Sequence, residues 1–400
     1  MSSAYLDKKG KEQVELTVVF IICIALLGSL LLIGVSRRPK NETAFFDRVS
    51  TKEFQGFLAV FIMLHQTVVI LKYAGFNIGG LMFFYYYGIL AVAFFFFCSG
   101  FGLIKRWMTD NNYIKGFMRR RIFTVLVPFF ICNYIYLTDA LLSNIRIGAH
   151  FGFGAVICSF FGIFLVNNQM WFAVEIMLLY IAFRIVFAKV RKPLTGILIM
   201  TGVVIVMMVI GILSGHSDSQ IMSYWFKGEW WYNTILMFPL GMFYAYKEES
   251  INKAIKKAFI PVLIASSILF VVMDLIHRNL MDKSIYWTEY EGAPHPYLDK
   301  LLGLSQETVF EIVFLVLIVT VFSALRFSNP VLKFLGKISL EIIMLNYLMI
   351  GSLLFLCRRF GIGVYLPAVI ISTIVISSVV YIIKNFVLER RSGLFDGKVT

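Results

Sequence analysis

Charge is scarce in this sequence. Only 15% of its 400 residues are Asp, Glu, Lys or Arg, where a soluble protein carries about 25%. That shortage excludes an ordinary soluble enzyme, and a mean hydropathy of +0.82 places most of the chain in lipid. Cysteine is scarce too. Cys23, Cys98, Cys132, Cys158 and Cys357 lie in or beside apolar runs. Their spacing matches no zinc or disulfide pattern, so they read as packing residues. Also missing are a soluble domain, a long linker, a low-complexity tract and a clear internal repeat. No metal-ligand cluster, Gly-rich phosphate loop or Ser-His-Asp set stands out, so no metal is expected. A net charge of +14 would suggest nucleic acid in a soluble protein. Here the basic residues gather in short segments between apolar runs, the pattern of a multi-pass membrane protein with no nucleic-acid partner.

What the chain has in excess is apolar length: 59% hydrophobic residues, with 40 Phe and 19 Tyr. A bilayer-crossing helix needs roughly 20 apolar residues. Eleven candidate spans begin near residues 14, 55, 81, 122, 171, 195, 233, 259, 309, 334 and 363. The fold class is therefore all-α, a polytopic membrane protein of about eleven transmembrane helices. The first run, 14–35, is too long for a signal-peptide core and lacks a small-residue cleavage site, so it reads as a retained helix. The seventh, 233–246, is short and holds Pro239 and Gly241; it reads as broken or as borrowing from the preceding EWWY. The segment 151–166, with Gly152, Gly154 and Gly162, reads as re-entrant or interfacial.

Most of the 37 Lys and Arg residues fall in alternate connections, around Arg37–Lys52, Lys105–Arg121, Lys189–Lys192, Lys247–Lys257, Arg326–Lys337 and Lys384–Lys398. The positive-inside rule puts those in the cytoplasm, with the amino terminus outside and the carboxyl terminus inside. The longest outer loop, 278–308, contains Trp287, Tyr290, His295 and Tyr297 and reads as a structured lid.

One residue breaks the apolar pattern. The run GFLAVFIMLHQTVVI (56–70) places His65 about ten residues into the second span. An ionisable group near mid-membrane is costly and is a functional candidate by default. Its helical neighbours Phe61, Ile62, Val68, Val69 and Lys72 offer no carboxylate, so any partner comes from another helix. A neutral imidazole is a good general base because its ordinary pKa is about 6.5; the alternative is a neutral ring bonded for packing. His150, His216, His277 and His295 fall in or beside outer loops and read as solvated.

Six ordered blocks carry a family signal: KEFQGFLAVFIMLHQ (52–66), AVAFFFFCSGFGLIKR (91–106), YIKGFMRRRIFTVLVPFF (113–130), NNQMWFAVEIMLLY (167–180), WWYNTILMFPLGMFYAYKE (230–248) and LKFLGKISLEIIMLNYLMI (332–350). Together they resemble acyltransferase family 3, integral membrane O-acyltransferases, over about 52–388. The resemblance implies a ten-helix core, to which this chain adds an amino-terminal helix. It divides the chain into 1–50, an amino-terminal helix and cytoplasmic connection; 51–390, the membrane-embedded acyltransferase domain; and 391–400, a cytoplasmic tail. It implies transfer of an acyl group, often acetyl, from cytoplasmic acyl-CoA to a hydroxyl of a cell-surface glycan or related acceptor. Its catalytic histidine maps to the LHQ of this chain, that is to His65. Gln55 and Gln66 stand where the family often has a basic residue and a second His; Thr124 and Asn346 likewise replace a cation and a His.

The remaining site residues follow. Arg119, Arg120 and Arg121 start the fourth span, where a helix amino terminus and guanidinium groups suit the phosphates of acetyl-CoA or another acyl-CoA; topology setting and lipid head-group binding are the alternatives. Ser99 and Gly100, with Gly102, lie where small residues leave a slot for the pantetheine arm or allow close helix packing. Glu175, Trp171, Trp231, Asn233 and Asn346 are candidates to bind the acceptor or orient His65. Trp171, Trp230, Trp231 and Tyr232 also fit an interfacial aromatic belt. Arg184, nine residues from Glu175, is too far along the helix for a direct pair, and Glu341 lies near the inner end, where it snorkels. A transporter or glycan exporter without chemistry is the rival reading, and a non-catalytic sensor on the same fold is another. Membrane lipids are expected partners in every case.

Overall fold

The structure, a computed structural model, describes residues 3–39, 42, 44–147, 152–216 and 223–396. It is built of helices. In chain order they are α1 (Ser3–Leu32), α2 (Arg48–Tyr73), α3 (Met82–Tyr86), α4 (Gly88–Thr109), α5 (Phe117–Arg121), α6 (Val127–Ile147) and α7 (Phe153–Phe160). Then come α8 (Trp171–Lys189), α9 (Pro193–Leu213), α10 (Trp230–Asn233), α11 (Met237–Tyr246), α12 (Glu248–Lys257) and α13 (Phe259–Asp282). The last five are α14 (Pro296–Ala324), α15 (Pro330–Lys337), α16 (Ser339–Ser352), α17 (Leu354–Phe360) and α18 (Ile362–Asp396).

Among the described residues, 9 helices are long and apolar enough to cross a membrane, and 10 if α15 and α16, bent by 77°, form one span. The starts expected near 14, 55, 81, 122, 171, 195, 259, 309 and 363 fall in the long helices, and that near 334 in the bent pair. The seventh candidate is broken as its composition suggested. α10 stops at Asn233, and α11 has only 10 residues, about 15 Å of helix against a hydrocarbon core of about 30 Å. Pro239 is tolerated as the third residue of α11, where a backbone N–H has no intrahelical acceptor. In 151–166 the described part holds the 8-residue α7 and a two-residue strand, Phe164–Leu165, paired antiparallel with Ser223–Tyr224. The loop expected over 278–308 is mostly helix: α13 runs to Asp282 and α14 begins at Pro296. Only 283–295 connects them. His150 and the last four residues of the expected tail lie outside the described residues.

The chain divides into two compact units. Unit one comprises Met1–Ser36, Arg48–Ala91 and Phe327–Thr400; unit two comprises Arg37–Asp47 and Val92–Arg326. In unit one, α2 and α15 meet backbone to backbone. A side chain at Gly56 would collide with the Leu332 carbonyl, and one at Gly336 with the Lys52 carbonyl. α15 starts where it does because Asn329 caps it, its side chain accepting from the Val331 and Leu332 N–H groups, with Pro330 in the first turn. α1 joins α18 through Glu15, which accepts from the Gly363 N–H at 3.1 Å. Glu341 does not snorkel: it is fully buried and paired with Lys384.

In unit two, α4 and α11 use the same device, with Gly100 against the Phe238 carbonyl and Gly241 against the Phe97 carbonyl. The segment 37–47 is stitched in by Arg38. Its guanidinium donates to the carbonyls of Phe322 (2.7 Å), Ala44 (2.9 Å) and Phe45 (3.0 Å). Phe46 then stacks on Phe322, 5.1 Å between ring centroids.

Gly56→Ala and Gly336→Ala should each destabilise by about 1–3 kcal/mol, the usual cost of overpacking. Gly202→Ala, in α9 with nothing within 4 Å of the new methyl, should leave the thermal midpoint unchanged or higher. Thermal unfolding of the purified protein in detergent checks this.

Candidate active site

His65 owes its setting to a break in another helix. α3 ends at Tyr86, Tyr87 leaves helical geometry (φ −107°, ψ 5°), and α4 begins at Gly88. The interruption releases the Phe84 carbonyl from the i→i+4 ladder. His65 Nδ1 lies 2.9 Å from that oxygen. A carbonyl can only accept, so Nδ1 carries the proton and the accepting lone pair sits on Nε2. Gly88 makes the seat flat: a Cβ there would stand 2.5 Å from three atoms of the imidazole. His65 is half-buried between fully buried Leu64 and Gln66.

Asn346 is brought to the same helix but not to the ring. Its amide donates to Gln66 Oε1 (3.0 Å) and the Met63 carbonyl (3.2 Å), and its oxygen accepts from Thr373 at 3.0 Å. Gln66 donates in turn to the Ile343 carbonyl at 3.4 Å. This network joins α2, α16 and α18, all of its side chains buried, and fixes the rotation of α2.

Unit two gathers a second set. Ser99 Oγ and the Tyr180 hydroxyl are 2.8 Å apart. The Arg121 guanidinium lies 4.8 Å from the Tyr180 ring and 5.2 Å from that of Phe117, and donates to the Tyr113 hydroxyl at 2.8 Å. Arg121 Nε is buried without a hydrogen-bond partner, and no carboxylate pairs with this cation among the described residues. Arg120 is exposed and donates to the carbonyls of Tyr113 and Lys115 (3.1 Å); Arg119 is exposed. Between α5 and α6 the backbone makes a π-helical turn, Ile122–Leu126, a feature frequent at functional sites. There the Thr124 hydroxyl donates to the Arg120 carbonyl at 2.9 Å. Gly100 is committed to the contact with Phe238, whereas Gly102 is exposed with nothing within 4 Å of a Cβ. Tyr113 and Tyr180 escaped notice as site residues, although both stand in the blocks that carry the family signal.

The other candidates separate. Glu175 is fully buried, both its oxygens lack a partner, and it forms no ion pair with Arg184 among the described residues. Trp171 is buried against Phe96 and Phe172. Trp231 is buried and its indole donates to the Phe226 carbonyl at 2.9 Å. Asn233 donates to Glu307 at 3.2 Å.

Glu307 belongs to a polar centre that sequence reasoning missed. It also accepts from the Tyr286 hydroxyl at 2.6 Å, and His277 Nδ1 lies 3.7 Å away. Beside it, Glu289 accepts from the His216 ring and backbone N–H, each at 3.1 Å, and pairs with fully buried Lys300. His216 and His277 are therefore buried, not solvated as their loop positions suggested; His295 is exposed as expected. Burial and the Lys300 charge push His216 down to about 4. Burial pushes Glu229 up to about 7. Burial also acts upward on Glu289, but the Lys300 hydrogen bond and charge outweigh it and hold that carboxyl below its usual range.

The two shifts have opposite signs for stability. Between about 4.5 and 7 the folded state holds a proton on Glu229 that the unfolded chain has lost, so this group destabilises as pH rises; depressed His216 does the reverse between about 6.5 and 4. Glu229→Gln removes the first effect alone. The stability of the wild type relative to this variant should grow by about 3 kcal/mol as pH falls from 7.5 to 4.5, measured by unfolding in detergent at both values.

No curated protein and no solved structure matches the chain significantly. A family model does: that described as an acyltransferase domain, Acyl_transf_3, matches residues 54–382. This range runs from the second turn of α2, ahead of His65, through the α18 residue that holds Asn346, and with it the chain belongs to acyltransferase family 3 and is a multi-pass membrane acyltransferase.

Proposed function

We propose that this acyltransferase moves an acyl group, acetyl in the first instance, from cytoplasmic acyl-CoA to a hydroxyl of a cell-surface glycan, with His65 as general base. The observation that carries the reading is the 2.9 Å bond from His65 Nδ1 to the Phe84 carbonyl. It leaves Nε2 as the atom that takes a proton, which is the state a base requires before reaction. The acceptor hydroxyl gives its proton to Nε2 as its oxygen forms a bond to the thioester carbonyl carbon. The carbon–sulfur bond then breaks, and the proton passes to the departing thiolate. Alcohol and thioester become ester and thiol with no other reactant.

Arg121 supports the donor half of the reading. A cation without a carboxylate partner among the described residues, held between Tyr113, Phe117 and Tyr180, suits a phosphate oxygen. The Ser99–Tyr180 hydroxyl pair offers donors further along, and open Gly102 leaves room for the pantetheine arm. The alternation of Lys and Arg along the chain supports a cytoplasmic donor side and an outer acceptor side in the cell membrane.

In proteoliposomes with labelled acetyl-CoA inside and glycan outside, His65→Ala should lower transfer about 10²–10⁴-fold, and His65→Gln should not restore it. Wild-type turnover in both variants would remove His65 from the mechanism. Gly88→Ala, which displaces the ring without touching its chemistry, should lower kcat and leave the KM for acyl-CoA unchanged. Arg121→Lys keeps the charge but loses the planar fork, and should raise that KM about tenfold, one lost charge-assisted hydrogen bond.

A further inference from the structure

Residues 283–295 fold against the ends of α9, α10 and α14, all within unit two. The Tyr290 hydroxyl donates to the His216 carbonyl. Glu289 is fixed by His216 and Lys300. The Trp287 ring lies 4.7 Å from the His216 ring, and His216 Nε2 lies 3.9 Å from Glu229 Oε2. Most polar groups in this layer are satisfied, but two are not. Among the described residues, Glu229 Oε2 and Thr288 Oγ1 are buried with no hydrogen-bond partner, and Thr288 is only 8% exposed. Each such group costs about 1–3 kcal/mol when left unpaired. The carboxylate oxygen accepts and the threonine hydroxyl both donates and accepts, so a ligand bearing hydroxyls complements both.

The same layer presents a flat aromatic face. Trp287 and Tyr290 are stacked, 5.7 Å between centroids and 28° between planes, and Tyr290 is 51% exposed. Hydroxyl donors around the rim of a ring that also has an apolar face are the chemistry of a saccharide, and aromatic surfaces with a few placed polar groups are how such rings are held. We infer that Glu229, Trp287, Thr288 and Tyr290 form a saccharide-binding site, in which sugar hydroxyls donate to Glu229 Oε2 and Thr288 while a sugar face stacks on the Trp287–Tyr290 pair. Lys300, through Glu289, is a positioning residue that holds the loop in place. The inference rests on the acceptor being a glycan and assigns that glycan a docking site on unit two.

The test is equilibrium binding of labelled hexasaccharides of glucose and of N-acetylglucosamine to the full chain in nanodiscs, beside acyl transfer by the same preparations. The wild type should bind at least one of the two. Thr288→Val and Glu229→Gln, both close to isosteric, should weaken it about tenfold each, and Tyr290→Ala, at an exposed position, at least as much. Binding unchanged in all three variants overturns the site. So does failure of both hexasaccharides to bind the wild type while brominated lipid quenches Trp287 fluorescence, identified by its loss in Trp287→Phe; the aromatic pair is then a membrane-interface anchor. His65-dependent transfer to a non-sugar alcohol alongside that failure would sink the site and leave the base standing. Variant-sensitive sugar binding with full turnover in His65→Ala would do the opposite.

Discussion

Hydrocarbon supplies no hydrogen bonds, so each polar group placed in it must find its partner inside the chain. The features that matter in this protein follow from that constraint. Interrupting a helix at Tyr87 exposes a carbonyl, and His65 is the group that satisfies it. The bond does two things at once: it removes the cost of the break, and it selects the imidazole tautomer. A stability requirement of the fold and a protonation requirement of the chemistry are met by the same 2.9 Å contact.

The same constraint separates structural polar groups from functional ones. Asn346, Gln66 and Thr373 satisfy one another and hold three helices in register. Arg38 with its three carbonyls is closed in the same way. Glu175 and Glu311 are not: all four of their carboxyl oxygens are buried and without partners among the described residues. Arg121 Nε shares that condition. In a medium this unforgiving, open valences in the interior mark the places where substrates, protons or water complete the structure.

Much of the architecture was legible in the sequence because membrane insertion writes it in composition. Runs of about 20 apolar residues and alternating Lys and Arg are visible without knowing any contact. His65 was legible for the same reason, as the one imidazole deep in such a run. The break that seats it was not. LMFFYYYGIL reads as uninterrupted apolar helix, and only the geometry at Tyr87 and Gly88 distinguishes a kink from a span. The centre around His216, Glu307 and Lys300 was hidden by distance: His216 stands 84 residues before Lys300 and 91 before Glu307, and α14 begins well before the apolar stretch that announces it. Charged residues in its first turns look like loop until their partners are known.

The backbone contact between α2 and α15 has a mechanical meaning. With glycine from each helix pressed on the other's carbonyls, the two cannot slide past one another, and α15 is itself turned 77° from α16. The depth of the His65 ring is therefore set from its own end of the helix by a crosswise strut, as a shelf bracket sets the height of a shelf.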